Sequence, residues 1–167
     1  MKTLFIVRHA KSSWDDHTLA DIDRPLNGRG KRDAPEMGRR LKNRSVLPDL
    51  MISSTAKRAR KTARKIAGEI GYDKNDIILL DSLYHAGVSS IHQLIKQTQE
   101  YVDTLMIFGH NPGFTDFANF IARTEIYNIP TCGIVQIRFD TTSWQEVDPS
   151  NSKLIDFDYP KKTGDIS

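Results

Sequence analysis

Two histidines and two arginines in this chain stand where phosphoryl chemistry could use them. Arg8 and His9 follow the apolar run Thr3 to Val7, Arg58 lies within SSTAKRARKT, Ser53 to Thr62, and His110 lies within FGHNPG, Phe108 to Gly113. A phosphoryl group in transfer spreads negative charge over its equatorial oxygens, and fixed guanidinium and imidazole donors stabilise that charge where it develops. One imidazole nitrogen can attack phosphorus while the other is held as a donor. This gives a phosphohistidine that water then hydrolyses, with no metal or cofactor required. Taken singly, each residue has a plainer reading: Arg8 could be an ion-pair partner and either histidine a packed imidazole. His17, His85 and His92 are read as surface or packing residues.

The elements that must position these groups alternate along the chain. Thr3 to Val7 reads as a buried strand. A helical pattern runs from about Gly28 to Arg44, with Ala34, Met37, Gly38 and Leu41 on one side. Asp49 to Ser53 reads as a short strand, and Ser54 or Thr55 can cap a helix that stops at Gly71. Strands at Asp76 to Leu80 and Thr104 to Gly109 are each followed by a helix, Ser89 to Gln99 and Gly113 to Ala122. Cys132 to Phe139 and Lys153 to Tyr159 look like an antiparallel hairpin at a sheet edge, joined through Pro149, Ser150 and Asn151. The pattern predicts an α/β fold with a mainly parallel sheet and helices on both faces. A single domain is expected over residues 1–159, with a frayed tail over 160–167. Each of the three polar motifs follows a strand, and ligands of open α/β sheets bind outside the carboxyl ends of the strands. At Arg58 a helix also begins, where backbone amides and the helix dipole favour an anion.

Composition narrows the classes. The one cysteine, Cys132, cannot form an internal disulfide and is read as a small core hydrophobe, no run matches zinc-ligand spacing, and no apolar run approaches membrane-spanning length. A soluble cytoplasmic protein with no membrane partner is expected. The net charge of +3 hides an asymmetry: Arg24 to Lys65 holds 14 Lys and Arg against 3 Asp and Glu, and the remainder holds 10 against 18. The basic core KRARKTARK, Lys57 to Lys65, could attract nucleic acid or an acidic protein surface, supply residues to a phosphate site, or form a solvated helix face. The 18 residues Ala10 to Asn27 are long for a strand-to-helix connection, usually about 2 to 6 residues, and are expected to form a rim. In that stretch Trp14 reads as a packed aromatic or an exposed partner contact, packing being the simpler, and Arg24 as a loop anchor or a group on the phosphate's approach.

RHAKSSW resembles the RHG motif of the histidine phosphatase superfamily, also called phosphoglycerate-mutase-like. SSTAKRARKTA looks like its second phosphate-arginine motif and GHNPG like its second histidine motif, in the family's order, over roughly residues 3 to 139. The whole chain, including DRPLNGRG, Asp23 to Gly30, is similar to the small SixA-like phosphohistidine phosphatases. The resemblance implies a three-layer sandwich with a mixed sheet. It implies His9 as nucleophile, with Arg8, Arg58 and His110 on the phosphoryl oxygens, and Ser12 falls where many members have Ser. Ala10 replaces the usual Gly and Thr55 a common Pro. Larger members carry a carboxylate acid in the region corresponding to Asp81 to Gly87. Here that region offers only Asp81, with Asp21 and Asp23 of the long loop as further candidates. An imidazole leaving phosphorus depends less on a positioned acid than an alkoxide does. Only 51 residues separate Arg58 from His110, leaving no room for a cap. The expectation is a metal-independent phosphatase acting on phosphohistidine in proteins such as a phosphotransfer domain. The rivals are the same chemistry on a small phosphoester or nucleotide derivative and, remotely, a basic nucleic-acid-binding module.

Overall fold

A computed structural model describes residues 1–162. Ten main elements follow in order: β1 Lys2–Arg8, α1 Gly28–Asn43, β2 Leu50–Ser54, α2 Lys57–Ile70, β3 Ile78–Leu80, α3 Val88–Lys96, β4 Thr104–Gly109, α4 Gly113–Ala122, β5 Ile134–Phe139 and β6 Ser152–Asp158. They form one six-stranded sheet in the order β3-β2-β4-β1-β5-β6. β1, β2, β3 and β4 run parallel, while β5 pairs antiparallel with both β1 and β6. This is the expected mixed sheet with an antiparallel C-terminal edge hairpin.

The central strands are apolar on both faces because helices cover both. On one face Leu4 and Ile6 of β1 join Ile107 and the buried side chains of α3 and α4, including Ile91, Ile95, Phe114 and Phe117. On the other, Phe5 and Val7 join Met106 and Phe108 with Met37 and Leu41 of α1 and Ile66 of α2. Alternation along one strand thus holds both layers. Cys132 is fully buried in the second cluster, and burial pushes its thiol pKa up.

Local chemistry moves several element ends. Asn27 caps α1, its side chain accepting from Gly30 N–H at 2.8 Å. Gly71 ends α2 in the left-handed region at φ 86°, as its lack of a Cβ allows. No side chain caps α2 at its N-terminus, however, and the N-cap is Ala56. β3 keeps only three residues because Lys74–Asp76 forms a short 3-10 turn, and α3 ends at Lys96. The segment Ala10 to Asn27 folds back on itself: Ser13 N–H donates to Pro25 O at 2.8 Å and Asn27 N–H to Lys11 O at 3.0 Å. Of the expected frayed tail, Pro160 is held by Arg40, whose Nη2 donates to its carbonyl at 2.9 Å, and residues 163–167 lie outside the described residues.

α4 begins against the turn that precedes α3. A Cβ on Gly113 would stand 1.9 Å from Ala86 O, a backbone atom, so Gly113→Ala forces the 84–87 segment away. This substitution is expected to cost about 2 kcal/mol or more, read as a lowered urea midpoint at unchanged slope. An unchanged midpoint contradicts the packing described.

Candidate active site

Register brings the histidines together. Arg8 of β1 is the partner of Gly109 of β4, so the next residue on each strand is a histidine, and both leave the sheet at the same end. His9 N–H donates to Gly109 O at 3.0 Å, and the rings of His9 and His110 lie 5.2 Å apart, tilted by 50°. Both residues are buried, each 7% exposed.

The environment of His9 decides its tautomer. Its Nδ1 lies 2.7 Å from Ala10 O, which only accepts, so Nδ1 carries the proton and Nε2 keeps its lone pair. Ala10 is itself held, its N–H donating to Thr62 Oγ1 at 2.9 Å, and Thr62 donates to Arg58 O at 2.7 Å. Burial, helped by the charges of Arg58, Arg8 and Arg24, lowers the His9 pKa to about 4, against the opposing pull of the Ala10 bond. Neutral at pH 7 and free at Nε2, the imidazole is fit to attack an electrophile.

Cations surround the pair. Arg8 donates from Nη1 to Ile129 O at 2.9 Å, whereas its Nε is buried without a partner within the protein. Burial first, then the charge of Arg58, lowers the Arg8 pKa. Burial and the neighbouring cationic groups lower His110 to about 3; its Nε2 pairs with Ser54 Oγ at 2.9 Å and its Nδ1 is buried without a partner. Arg58, in the first turn of α2, donates to Asp21 O at 2.7 Å and to Asp21 Oδ2 at 2.9 Å. An unpaired guanidinium nitrogen and an unpaired imidazole nitrogen, both buried among positive charges, form a site complementary to an oxyanion.

The other sequence candidates fall differently. Asp21 reaches the site by accepting from Arg58, Arg24 and the Tyr84 hydroxyl. Burial would raise its pKa, but the bonds from Tyr84, Arg58 and Arg24 together hold it well below the usual carboxylate range. Ionised at neutral pH, it has no proton to give. Asp81 accepts from Thr55 Oγ1 at 2.5 Å, and Asp23 is exposed with no side-chain bond among the described residues. Neither contacts the histidines. Ser12 is turned to Arg24, accepting from its Nη2 at 2.6 Å, and so is tied to the site through a residue whose charge reaches His9. Arg24 anchors the loop, donating also to Ser13 O at 3.0 Å. Trp14 is not packed: it is 64% exposed with the Arg24 guanidinium over its ring. No group of three or more His, Cys, Asp or Glu among the described residues could hold a metal ion.

Two members of the site carried no sequence signal. Ser54, read as a helix cap, accepts from Ala56 N–H and pairs with His110. Tyr84 bonds Asp21 and meets His110 edge-on at 5.4 Å. Tyr84 lies in the stretch Asp81 to Gly87, where only Asp81 was a candidate, and its role follows from the fold bringing that turn to the strand ends. His85 is exposed and stacks on Tyr84, His17 is exposed, and His92 packs near Phe117 and Phe120 while its Nε2 lies 3.0 Å from Val147 O.

The family model of the histidine phosphatase superfamily (branch 1) matches residues 4–112, which include both histidines and both arginines. An uncharacterized chloroplastic protein of Arabidopsis thaliana is 31% identical over 158 residues, 87% of this chain and 70% of that protein. An uncharacterized protein of Mycobacterium tuberculosis is 31% identical over 165 residues, 93% of this chain and 100% of that one. The provisionally assigned phosphohistidine phosphatase SixA from Agrobacterium tumefaciens is 27% identical, with a TM-score of 0.82 over 95% of this chain and 98% of that one. A protein histidine phosphatase SixA complexed with tungstate shares the fold at 20% identity, with a TM-score of 0.80 over 95% and 97% of the two chains.

Holding two histidines neutral has a cost in acid. Their folded pKa values, about 4 for His9 and about 3 for His110, lie below the ordinary 6.5 regained on unfolding, so between these values the unfolded chain binds more protons. Their stabilisation is full above about pH 6.5 and is lost as pH falls toward the folded values, by on the order of 2 to 3 kcal/mol per histidine at pH 4. The thermal midpoint is expected to fall steadily from pH 6.5 to 4 and to fall less in His110→Asn. A flat wild-type profile over this range contradicts the assignment.

Proposed function

This chain belongs to the histidine phosphatase superfamily and is a phosphatase, and we propose that it hydrolyses phosphohistidine borne by proteins, with His9 as nucleophile. The observation that carries the reading is the Nδ1 bond from His9 to Ala10 O, which aims a neutral Nε2 into a cluster of cationic donors. Nε2 attacks phosphorus, the bond from phosphorus to the substrate imidazole breaks, and that imidazole takes up a proton from solvent. Water then attacks the phosphoryl group on His9, the P–Nε2 bond breaks, and orthophosphate leaves with the water's oxygen. One proton passes to solvent, and His9 is restored. In this reading Arg8, Arg58 and His110 bind the phosphoryl oxygens, and the unpartnered Arg8 Nε and His110 Nδ1 find their acceptors there.

Ser54 supports the role of His110. Its oxygen accepts the Ala56 N–H and its own proton is then given to His110 Nε2, so that Nδ1 is left as the N–H donor. The preference for phosphohistidine over a phosphoester rests on the leaving group. Asp21 is held ionised, Asp81 accepts from Thr55 and neither Asp81 nor Asp23 hydrogen-bonds a histidine among the described residues, which supports an imidazole, able to depart without a positioned acid, over an alkoxide. The 51 residues between Arg58 and His110 are occupied by α2, β3, α3 and β4 with short turns, in keeping with a domain over 1–159 that lacks a cap. A cytoplasmic site of action and a reaction without metal complete the proposal.

Two outcomes are expected. The purified protein, assayed beside small phosphomonoesters, turns over a phosphohistidine-bearing phosphotransfer domain with the higher kcat/KM, keeps its rate in EDTA, and loses at least about a thousand-fold on His9→Ala. Faster turnover of the monoesters overturns the substrate, and full activity in His9→Ala overturns the nucleophile. Ser54→Ala is expected to lower kcat about ten-fold or more with little change in KM, because a transition-state donor is misplaced. An unchanged kcat removes Ser54 from the site's support.

A further inference from the structure

Beside the site, Pro25 and Leu26 floor a cleft of about 330 Å³ edged by Lys31 of α1 and by Lys57, Lys61 and Lys65 of α2. None of the four lysines pairs with a carboxylate among the described residues, whereas three arginines of α1 do: Arg29 with Asp33, Arg39 with Glu36 and Arg40 with Asp158. Lys57, Lys61 and Lys65 recur every four residues, an arrangement of like charges that weakens an isolated helix. The cleft also adjoins the site at two points. Lys57 precedes Arg58, and Pro25 follows Arg24, the residue that stacks on exposed Trp14.

We infer that this cleft docks an acidic segment of the protein that carries the phosphoryl group. Charge complementarity selects the occupant: four unpaired ammonium groups over an apolar floor suit a peptide with carboxylates and some apolar backbone cover. Spacing fits as well. Four helical residues rise about 6 Å, and two extended residues span about 6.6 Å, so carboxylates on alternate residues of an extended segment meet Lys57, Lys61 and Lys65 in turn. The identity of the docked molecule as substrate rests on the function proposed above; the docking surface itself does not.

The test uses a fluorescein-labelled eight-residue peptide of alternating Glu and Ser, its Gln and Ser counterpart, and a single-stranded DNA of matched charge, each titrated against the whole protein by anisotropy. The Glu peptide is expected to bind, more weakly as salt rises, while the Gln peptide does not bind. The triple variant Lys31→Glu, Lys61→Glu, Lys65→Glu is expected to weaken binding at least about ten-fold while turnover of a small phosphoramidate stays within about three-fold, which also reports an intact fold. Equal binding of the Glu peptide by the variant overturns the surface and leaves the phosphatase reading standing. Tighter binding of the DNA, lost in the same variant, overturns the acidic-protein occupant in favour of nucleic acid. Failure to turn over phosphohistidine, with peptide binding intact, overturns the function and not the surface.

Discussion

The pairing of β1 with β4 is the constraint on which the rest depends. Adjacent parallel strands lie about 4.8 Å apart and end at the same edge of the sheet, so residues one step past a register pair are held side by side. Here the pair is Arg8 with Gly109, and the residues one step beyond are His9 and His110. A slip of one residue would exchange every side chain of β1 between the two faces, driving Phe5 and Val7 into the α3 and α4 layer. Burial of both faces therefore fixes the separation of the histidines as firmly as any contact between the rings. β2, on the other side of β4, adds Ser54 and the start of α2 to the same edge.

Gathering cations at one edge creates an electrostatic debt that the long loop meets in part. Arg8, His9 and His110 each sit where burial and a neighbouring charge disfavour the protonated form, and the loop returns Asp21 to Arg58 through both its carbonyl and its carboxylate. The Asp21 side chain is 42% exposed and that of Arg58 only 7%, so the counter-ion approaches from the rim while the guanidinium stays below. Arg58 gives Asp21 one bond from each terminal nitrogen and retains further N–H groups for an incoming oxyanion. The loop thus neutralises part of the charge and leaves the floor of the site positive.

Strand ends and helix phases were legible because they are periodic or local. The apolar run ending at Arg8-His9, the strand before His110 and the helix stop at Gly71 all follow from hydrophobic pattern or backbone chemistry. What the pattern could not carry was the choice of hydrogen-bond partner across elements. Ser54 could cap α2 by its type and position, yet His110 lies within its reach only because β2 and β4 pair. Asp21, Asp23 and Asp81 were alike as carboxylates, and only the fold separates the one bonded by Tyr84 and two arginines of the site from Asp81, held by Thr55, and Asp23, which makes no side-chain bond among the described residues. Trp14 could be packed or an exposed contact by its type, and in the fold it is exposed, with only the Arg24 guanidinium stacked on its ring among the described residues.

In the reaction proposed above, a nucleophile and oxyanion donors recognise a phosphoryl group and little else. On that proposal Arg8, Arg58 and His110 offer contacts to oxygens on phosphorus, and none of them distinguishes one leaving group from another by shape. Discrimination inside the pocket then comes from how readily the leaving group departs, which favours imidazole over alkoxide when no acid is present. Among phosphorylated imidazoles on different proteins, that criterion is silent, because the reacting bond is the same in each. Selectivity among them has to come from contacts outside the pocket, made with the surface that carries the imidazole. The rim offers such contacts in two chemistries, the exposed ring of Trp14 on the segment from Ser12 to Leu26 and the lysines of α2, unpaired among the described residues, on the helix that carries Arg58. The segment from Ser12 to Leu26 supplies the counter-ion Asp21 as well, so the exposed Trp14 ring and the partner of Arg58 are carried by one loop.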